Sequence, residues 1–348
     1  MRLLPSLMTG LLLLAALAWA LVPGDAWWTG RMAGTRLELV PGGPVVERTG
    51  RVWIDTDAAC GAGPRTDPDD CFAILWLLAQ GVRIEGISTS FGNAEGAVVA
   101  ARTQELADRL RAAGFAVPPV LEGHTGPVGP SALPEPAGVQ GLRAALAQGP
   151  LTVLALGPLT NIAAALEGRP DLSANVQRVV AVMGHEAGHL FHPSEGNGRG
   201  IMGHGPIFRD LNVSVDREAA QRVMALDVAL TLIPYDAGRG VVIGAADLQD
   251  FAQRGPAQAW LVDQAQGWLA FWQKDVGLEG FSPFDWVAAA WLFAPELFDC
   301  ARVRAEVRLE WAFWVWPRRG LVVDAADAGE VLYCPRTSAR LHDLLLAP

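Results

Sequence analysis

Two short runs near the start of the chain hold five aspartates, Asp55-Thr56-Asp57 and Asp67-Pro68-Asp69-Asp70. The first follows a short apolar stretch at 52–54, and the second leads straight into another that begins at Cys71. If the fold brings the runs together, carboxylate pairs about 5 Å apart in an effective dielectric near ~20 repel one another by roughly 3 kcal/mol each. Such a corner calls for a cation. Donors that are all oxygen suit a hard ion, and a mixture of carboxylates, carbonyls and water suits Ca²⁺ better than compact Mg²⁺. A plainer role stands beside this one: one or two of the acids cap the helix that follows, where negative charge meets free N–H groups.

Acids so placed need strands that end where they begin. Residues 51–55 read as a short buried strand, 71–80 as a helix, 82–90 as a strand and 97–114 as an amphipathic helix. Further on, 151–156 is an apolar strand, 161–167 opens a helix and 176–183 is β-branched and strand-like. This alternation predicts an α/β fold, an open and mostly parallel sheet with helices on both faces. Ligands of such sheets collect outside the carboxyl ends of the strands, which is where the acids fall. The glycine- and histidine-rich stretch 184–209 reads as an extended active-site loop. Trp311, Phe313 and Val315, alternating with Trp314 and Trp316, suggest one strand with apolar groups on both faces.

The acidic runs resemble the opening signature of the nucleoside hydrolase family, a strand ending in D-x-D-P-G-x-D-D, onto which Asp55, Asp57, Asp69 and Asp70 fit. A longer loop, 58–68, stands where the family has its Pro-Gly link, so the match requires that loop to fold back. Further similarity follows in the family's order and covers nearly everything from Arg51 to about Leu345. GISTSFGN at 86–93 resembles the segment ending in a sugar-binding asparagine, implying Asn93. LALGPLTNIA at 154–163 resembles the block whose backbone carbonyl, that of Leu156 here, ligates the metal. The stretch 180–184 resembles the strand whose methionine, Met183, lies along the ribose. FRDLNVSVDREAA at 208–220 implies Asp210 and Asn212 as sugar ligands, with Asp210 where the family normally has Glu. PFDWVAAAWLFAPEL at 283–297 implies Asp285, which completes the metal site and touches the sugar.

The resemblance implies a nucleoside hydrolase fold with a Rossmann-like core, Ca²⁺ as cofactor and a ribonucleoside as substrate. Breaking the N-glycosidic bond passes through an oxocarbenium-like ribose, so the site must supply a charged floor, a fixed sugar and an activated water. Asp57, Asp70, Leu156 and Asp285 would hold the metal, Asp57 would act as general base, and Asp69 would hold the sugar hydroxyls. Many family members carry His just before the C-terminal aspartate; here that position is Phe284. A general acid contributes about 10²- to 10⁴-fold. His185, His189, His192, His204 or a Trp stacked on the base are candidates to replace it.

Bulk properties agree with a large enzyme domain. The chain has 348 residues, 51% of them hydrophobic, enough for one large α/β core. Its net charge of -10 and single lysine, Lys274, argue against a nucleic-acid surface, which needs clustered Lys and Arg. Arg2 precedes an apolar stretch at 3–22, so residues 1–23 read as a signal peptide or an N-terminal membrane anchor, with a small-x-small site at Ala18, Trp19 and Ala20. Both options place the protein outside the cytoplasm, periplasmic or extracytoplasmic. Residues 24–50 read as a linker and 51–348 as one domain. Cys60, Cys71, Cys300 and Cys334 then face an oxidising compartment, where their pairing and free buried thiols are both open. Relatives often form homo-oligomers, which the resemblance extends to this chain.

Three other readings compete. His185-Glu186-Ala187-Gly188-His189 matches the H-E-x-x-H zinc protease motif, but Gly184 and Gly188 disfavour the helix that motif needs. Asp55 and Asp57 could be an aspartyl phosphatase pair, for which Lys274 is the sole available lysine. A family member that binds ribose without efficient turnover is the third, motivated by the long loop, Phe284 and Asp210.

Overall fold

The computed structural model describes residue 10 and residues 37–42, 50–127, 135–187, 210–312, 316–326 and 329–347. Outside them lie the apolar leader except residue 10, much of the expected linker, His189, His192, His204 and Phe208, together with Phe313, Trp314 and Val315. Among the described residues no helix is long and apolar enough to cross a membrane.

Short runs rich in branched residues form the strands β1 (Val52–Thr56), β2 (Ile84–Thr89), β3 (Val120–Leu121), β4 (Leu151–Ala155), β5 (Val176–Ala181) and β7 (Leu230–Leu232), whereas β6 is the polar pair His185–Glu186. β8 (Ile243–Gly244) and β9 (Gly280–Phe281) make a separate antiparallel pair. The C-terminal part adds β10 (Phe298–Ala312), β11 (Trp316–Ala325) and β12 (Val331–Thr337). The main sheet has ten strands in the order β3-β2-β1-β4-β5-β7-β12-β10-β11-β6. From β3 to β12 the pairs are parallel, while β12–β10 and β10–β11 are antiparallel. The order reverses between β1 and β4, which opens a crevice at their carboxyl ends.

Side chains alternate across this sheet as strand geometry requires. Val52 and Ile54 of β1 join one core with the helices Asp69–Ala79, Pro256–Phe271 and Phe284–Phe293. Trp53 joins a second core with the helices Ala137–Ala147, Thr160–Leu166 and Arg217–Met224. Helices thus cover both faces, as the alternation predicted.

Three expectations need correction. Helix Asp69–Ala79 begins at the acids rather than at Cys71, because Asp69 and Asp70 are themselves its first turn. The expected tether is not free along its length: the backbones of Val40 and Cys300 exchange hydrogen bonds of 2.8 and 3.1 Å, adding residues 37–42 to the domain surface. The tryptophan-rich strand is two strands, with Ala312 of β10 paired to Trp316 of β11 in an antiparallel hairpin. Apolar alternation that continues from one strand into the next reads like one strand when no Gly or Asn signal separates them.

Helices Asp69–Ala79 and Phe284–Phe293 matter most for the site, since each carries acids in its first turn. Both are buried almost all round, which suits their lack of a polar face. Trp286 stacks on Phe72 at 5.2 Å between ring centroids and locks one helix to the other. Replacing Trp286 with Ala should lower the unfolding free energy by about 3–5 kcal/mol in denaturant titrations, with a parallel loss of metal affinity. Unchanged affinity would show that this packing does not set the distance between the acids.

Candidate active site

The carboxyl end of β1 presents Asp55, Thr56 and, just past the strand, Asp57 in succession, each with different partners. Asp55 is fully buried and points away from the crevice, accepting hydrogen bonds from the Ser88 hydroxyl and from Asn161 Nδ2 (2.8 Å). Trp53 Nε1–H in turn donates to Ser88 Oγ (2.8 Å), so the network reaches the opposite core. Burial pushes the Asp55 carboxyl up to about 7, against the two hydrogen bonds. Thr56 donates its hydroxyl to Asp70. Asp57 lines a cavity of about 370 Å³ and accepts the Asn93 backbone N–H at Oδ2 (2.8 Å).

Gly92 makes that contact feasible. Its φ of +141° is hostile to a side chain, and a Cβ there would lie 2.4 Å from Asp57 Oδ2. The long loop 58–68 does fold back to close the site. Asn93 Nδ2 donates to the Asp67 carbonyl (2.8 Å), while the Asp67 N–H donates to Asn93 Oδ1 (3.1 Å). A disulfide from Cys60 to Cys71 pins the loop to the helix that bears Asp70, and a second joins Cys300 to Cys334. The carboxylate of Asp67 accepts the Asp69 N–H (3.2 Å), so a helix-capping acid exists alongside the cation-binding ones.

Asp285 arrives from the far end of the chain. Its backbone N–H donates to Asp69 Oδ2 (2.7 Å), across a sequence separation of 216. Asp69, Asp70 and Asp285 are all buried, with one ligand oxygen from each within 4.8 Å of the others. The expected metal set contained Asp57, Asp70, Leu156 and Asp285, with Asp69 on the sugar. Asp57, Asp70, Leu156 and Asp285 do line the cavity together, but the tight carboxylate group includes Asp69 in place of Asp57, and Asp69 is not a lining residue. Asp69 Oδ1 is buried with no hydrogen-bond partner among the described residues. An orphan carboxylate oxygen in a carboxylate cluster fits a hard divalent cation. Burial first, and neighbouring carboxylates second, hold Asp57 and Asp285 well above the usual carboxylate range and push Asp70 up to about 7.

On the adjacent wall, Asn212 Nδ2 donates to the carbonyls of Leu156 (2.7 Å) and Val182 (2.9 Å), clamping the ends of β4 and β5. A carbonyl oxygen has two lone pairs, so the Leu156 carbonyl keeps one for a cation. Asp210 accepts the N–H groups of Gly184 (2.7 Å) and Val213 (3.1 Å) and caps helix Leu211–Val215. Met183, Asn93, Asp210 and Asn212 all line the cavity. The opposite wall is aromatic: Phe284 stacks on Tyr235 at 4.7 Å, and Trp268 and Arg65 stand nearby.

The described part of the zinc motif is not helical, and His189 lies outside the described residues. His185 and Glu186 lie in β6, paired with β11 instead of in a helix, and His185 Nε2 is bonded to Glu310 Oε2 (2.8 Å). Lys274, required by the phosphatase reading, sits in the π-helical turn Trp272–Val276 and is not a cavity residue. Sequence reasoning left Asn161, Tyr235, Trp268 and Arg65 without a role. Tyr235 follows β7 closely, so the carboxyl-end rule could have found it; Trp268 and Arg65 carry no such mark.

The acid cluster makes a stability test. A carboxyl raised from 3.8 to about 7, as at Asp55 and Asp70, binds its proton more tightly folded than unfolded. Its contribution is full below 3.8 and is lost as pH rises to about 7, so chelator-treated protein should melt at progressively lower temperature across that window. Ca²⁺ at a hundredfold excess over its Kd should restore about 2.7 kcal/mol near neutrality. Melting curves that are flat with pH and indifferent to Ca²⁺ would contradict a cation site here.

The profile of the inosine-uridine preferring nucleoside hydrolase family matches residues 52–333. A pyrimidine-specific ribonucleoside hydrolase, RihA, of Salmonella agona (strain SL483) is 27% identical over 256 residues, covering 66% of this chain and 78% of the relative. Among solved structures, a plant nucleoside hydrolase aligns with a TM-score of 0.67 at 18% identity, over 86% of this chain and 99% of that one. A purine-preferring ribonucleoside hydrolase from Gardnerella vaginalis aligns equally well, at 18% identity over 85% and 96%. A sheet that reverses at β1 and β4, acids brought together from both ends of the chain, and a profile spanning 52–333 agree: the chain belongs to the inosine-uridine preferring nucleoside hydrolase family and is a ribonucleoside-hydrolysing enzyme.

Proposed function

We propose that this enzyme hydrolyses the N-glycosidic bond of ribonucleosides with the help of Ca²⁺, releasing free base and ribose, with Asp57 as general base. The observation that carries the reading is the meeting of Asp285 with Asp69 and Asp70, of which Asp70 and Asp285 line a cavity together with Asp57. Asp70, Asp285, Asp57 and the Leu156 carbonyl would hold the cation, with Asp69 beside them. Bound there, Ca²⁺ would lower the pKa of water and bind vicinal hydroxyls.

Asp57 is suited to take a proton from water. Its Oδ2 is fixed by the Asn93 N–H, so its other oxygen can face the cavity, and positive charge nearby would favour its ionised form. Asp69, Asn93, Met183, Asp210, Asn212 and Asp285 would bound the ribose. Asn212 does so chiefly through Oδ1, because its amide hydrogens already serve Leu156 and Val182. Polar groups so confined reject a sugar that lacks a hydroxyl, since each unpaired group is costly when buried.

Export is part of the same reading. Both disulfides, with no free cysteine among the described residues, suit an oxidising compartment, and the apolar leader supplies a route to it. Release and anchoring by that leader are equally compatible with the domain.

Asp57→Asn should lower kcat by about 10²- to 10⁴-fold in a reducing-sugar assay on a panel of ribonucleosides, while calorimetry still detects Ca²⁺ binding. Asp70→Asn should instead weaken Ca²⁺ binding itself. Wild-type turnover by Asp57→Asn would remove Asp57 as the base. Ribose binding with no release from any nucleoside, by the unaltered protein, would favour a binding module.

A further inference from the structure

We infer that Arg65, from the loop 58–68, is the group that carries the departing nucleobase, by donating hydrogen bonds to the negative charge that develops on it. This rests on the hydrolase reading above and adds a residue to it. The side chain at the position before Asp285 is Phe284, whose ring stacks on Tyr235 and cannot give a proton. Among the described residues that line the cavity there is no His or Lys, and Arg65 is the sole cation. The other acid–base side chains of the lining, apart from Tyr235, are the carboxyl groups of Asp57, Asp67, Asp70, Asp210 and Asp285, which offer an anion no positive charge.

The loop holds Arg65 at this place firmly. The Cys60–Cys71 disulfide fixes one end and the paired Asn93–Asp67 hydrogen bonds fix the other. Between them Pro64 lies against Gly267, where a Cβ would come within 2.8 Å of Pro64 Cα. Helix Pro256–Phe271 therefore supports the loop and also delivers Trp268 to the same wall. The guanidinium sits 5.0 Å from the Phe271 ring centroid and 3.5 Å from Asp275, with its side chain 66% exposed, a placement at the rim of the cavity rather than on its acidic floor.

Guanidinium stays protonated at every working pH, so it acts as a fixed donor and not as an acid. In the step that follows, the C1′–N bond breaks and its electron pair goes to the base nitrogen. The oxygen of water bonds to C1′ while its proton passes to Asp57. The base leaves as an anion with its charge spread onto a ring carbonyl oxygen, to which Arg65 donates. The proton on Asp57 then reaches the base through solvent, and Arg65 is unchanged.

The test compares substrates that need such help with one that does not. Uridine and inosine release poor leaving groups, whereas p-nitrophenyl β-D-ribofuranoside releases a stable phenolate unaided. Arg65→Met should lower kcat/KM on the nucleosides by about 10²-fold or more and leave the nitrophenyl riboside within a few-fold. Arg65→Lys should recover part of the loss, and Asp275→Asn should leave both substrates near wild type. A parallel fall on both substrates would make Arg65 structural, and unchanged nucleoside rates would place leaving-group activation elsewhere; each overturns the inference. Hydrolysis of neither substrate by the unaltered enzyme would instead strike the hydrolase reading itself.

Discussion

Mutual repulsion among buried carboxylates is the constraint around which this protein is built. Asp69, Asp70 and Asp285 are each nearly inaccessible to water, and Asp57 stands beside them. Without a counter-charge, such a group must hold protons that its members would lose in solution, and their raised pKa values express that cost. A divalent cation reverses the sign of the problem. The same oxygens would form a donor set for it, and folding would then be coupled to metal affinity through one cluster.

Holding that cluster requires rigid supports from distant parts of the chain. Two largely buried helices bring their first turns together, one with Asp69 and Asp70, the other with Asp285, and the Phe72–Trp286 stack fixes their spacing. The end of β1 delivers Asp57 between them. Gly92 and Gly157 let the backbone approach that carboxylate closely, since a Cβ on Gly157 would lie 3.2 Å from Asp57 Cγ. Further back, Asp55 takes no place in the cavity; with Ser88, Asn161 and Trp53 it ties β1 to β2 and to helix Thr160–Leu166.

The cavity is polarised in the sense that glycosidic cleavage demands. On the proposed reading, positive charge would develop on the ribose beside the carboxylates, and negative charge on the base beside the aromatic residues and Arg65. The long loop contributes to both ends, with Asp67 inward and Arg65 outward. Its disulfide to Cys71 places a covalent tie one residue from Asp70, so loop position and acid position are linked.

Local sequence determined much of this protein. Apolar runs and their spacing were enough for the parallel α/β sheet, and the carboxyl-end rule pointed to the acids that follow β1, whereas Asn93, Leu156 and Met183 were implied by the family resemblance and line the same cavity. Element ends moved by a residue or two where polar side chains entered a helix, as at Asp69. Tertiary structure alone decided which cysteines pair, that Val40 joins the sheet at Cys300, and that Asn212 and Asp210 spend hydrogen bonds on backbone groups. It also decided that Asp69 joins Asp70 and Asp285, and that Tyr235, Trp268, Phe284 and Arg65 form one wall. Those contacts join segments far apart in the chain, and their energy comes from packing and charge in three dimensions, which no local pattern of residues encodes.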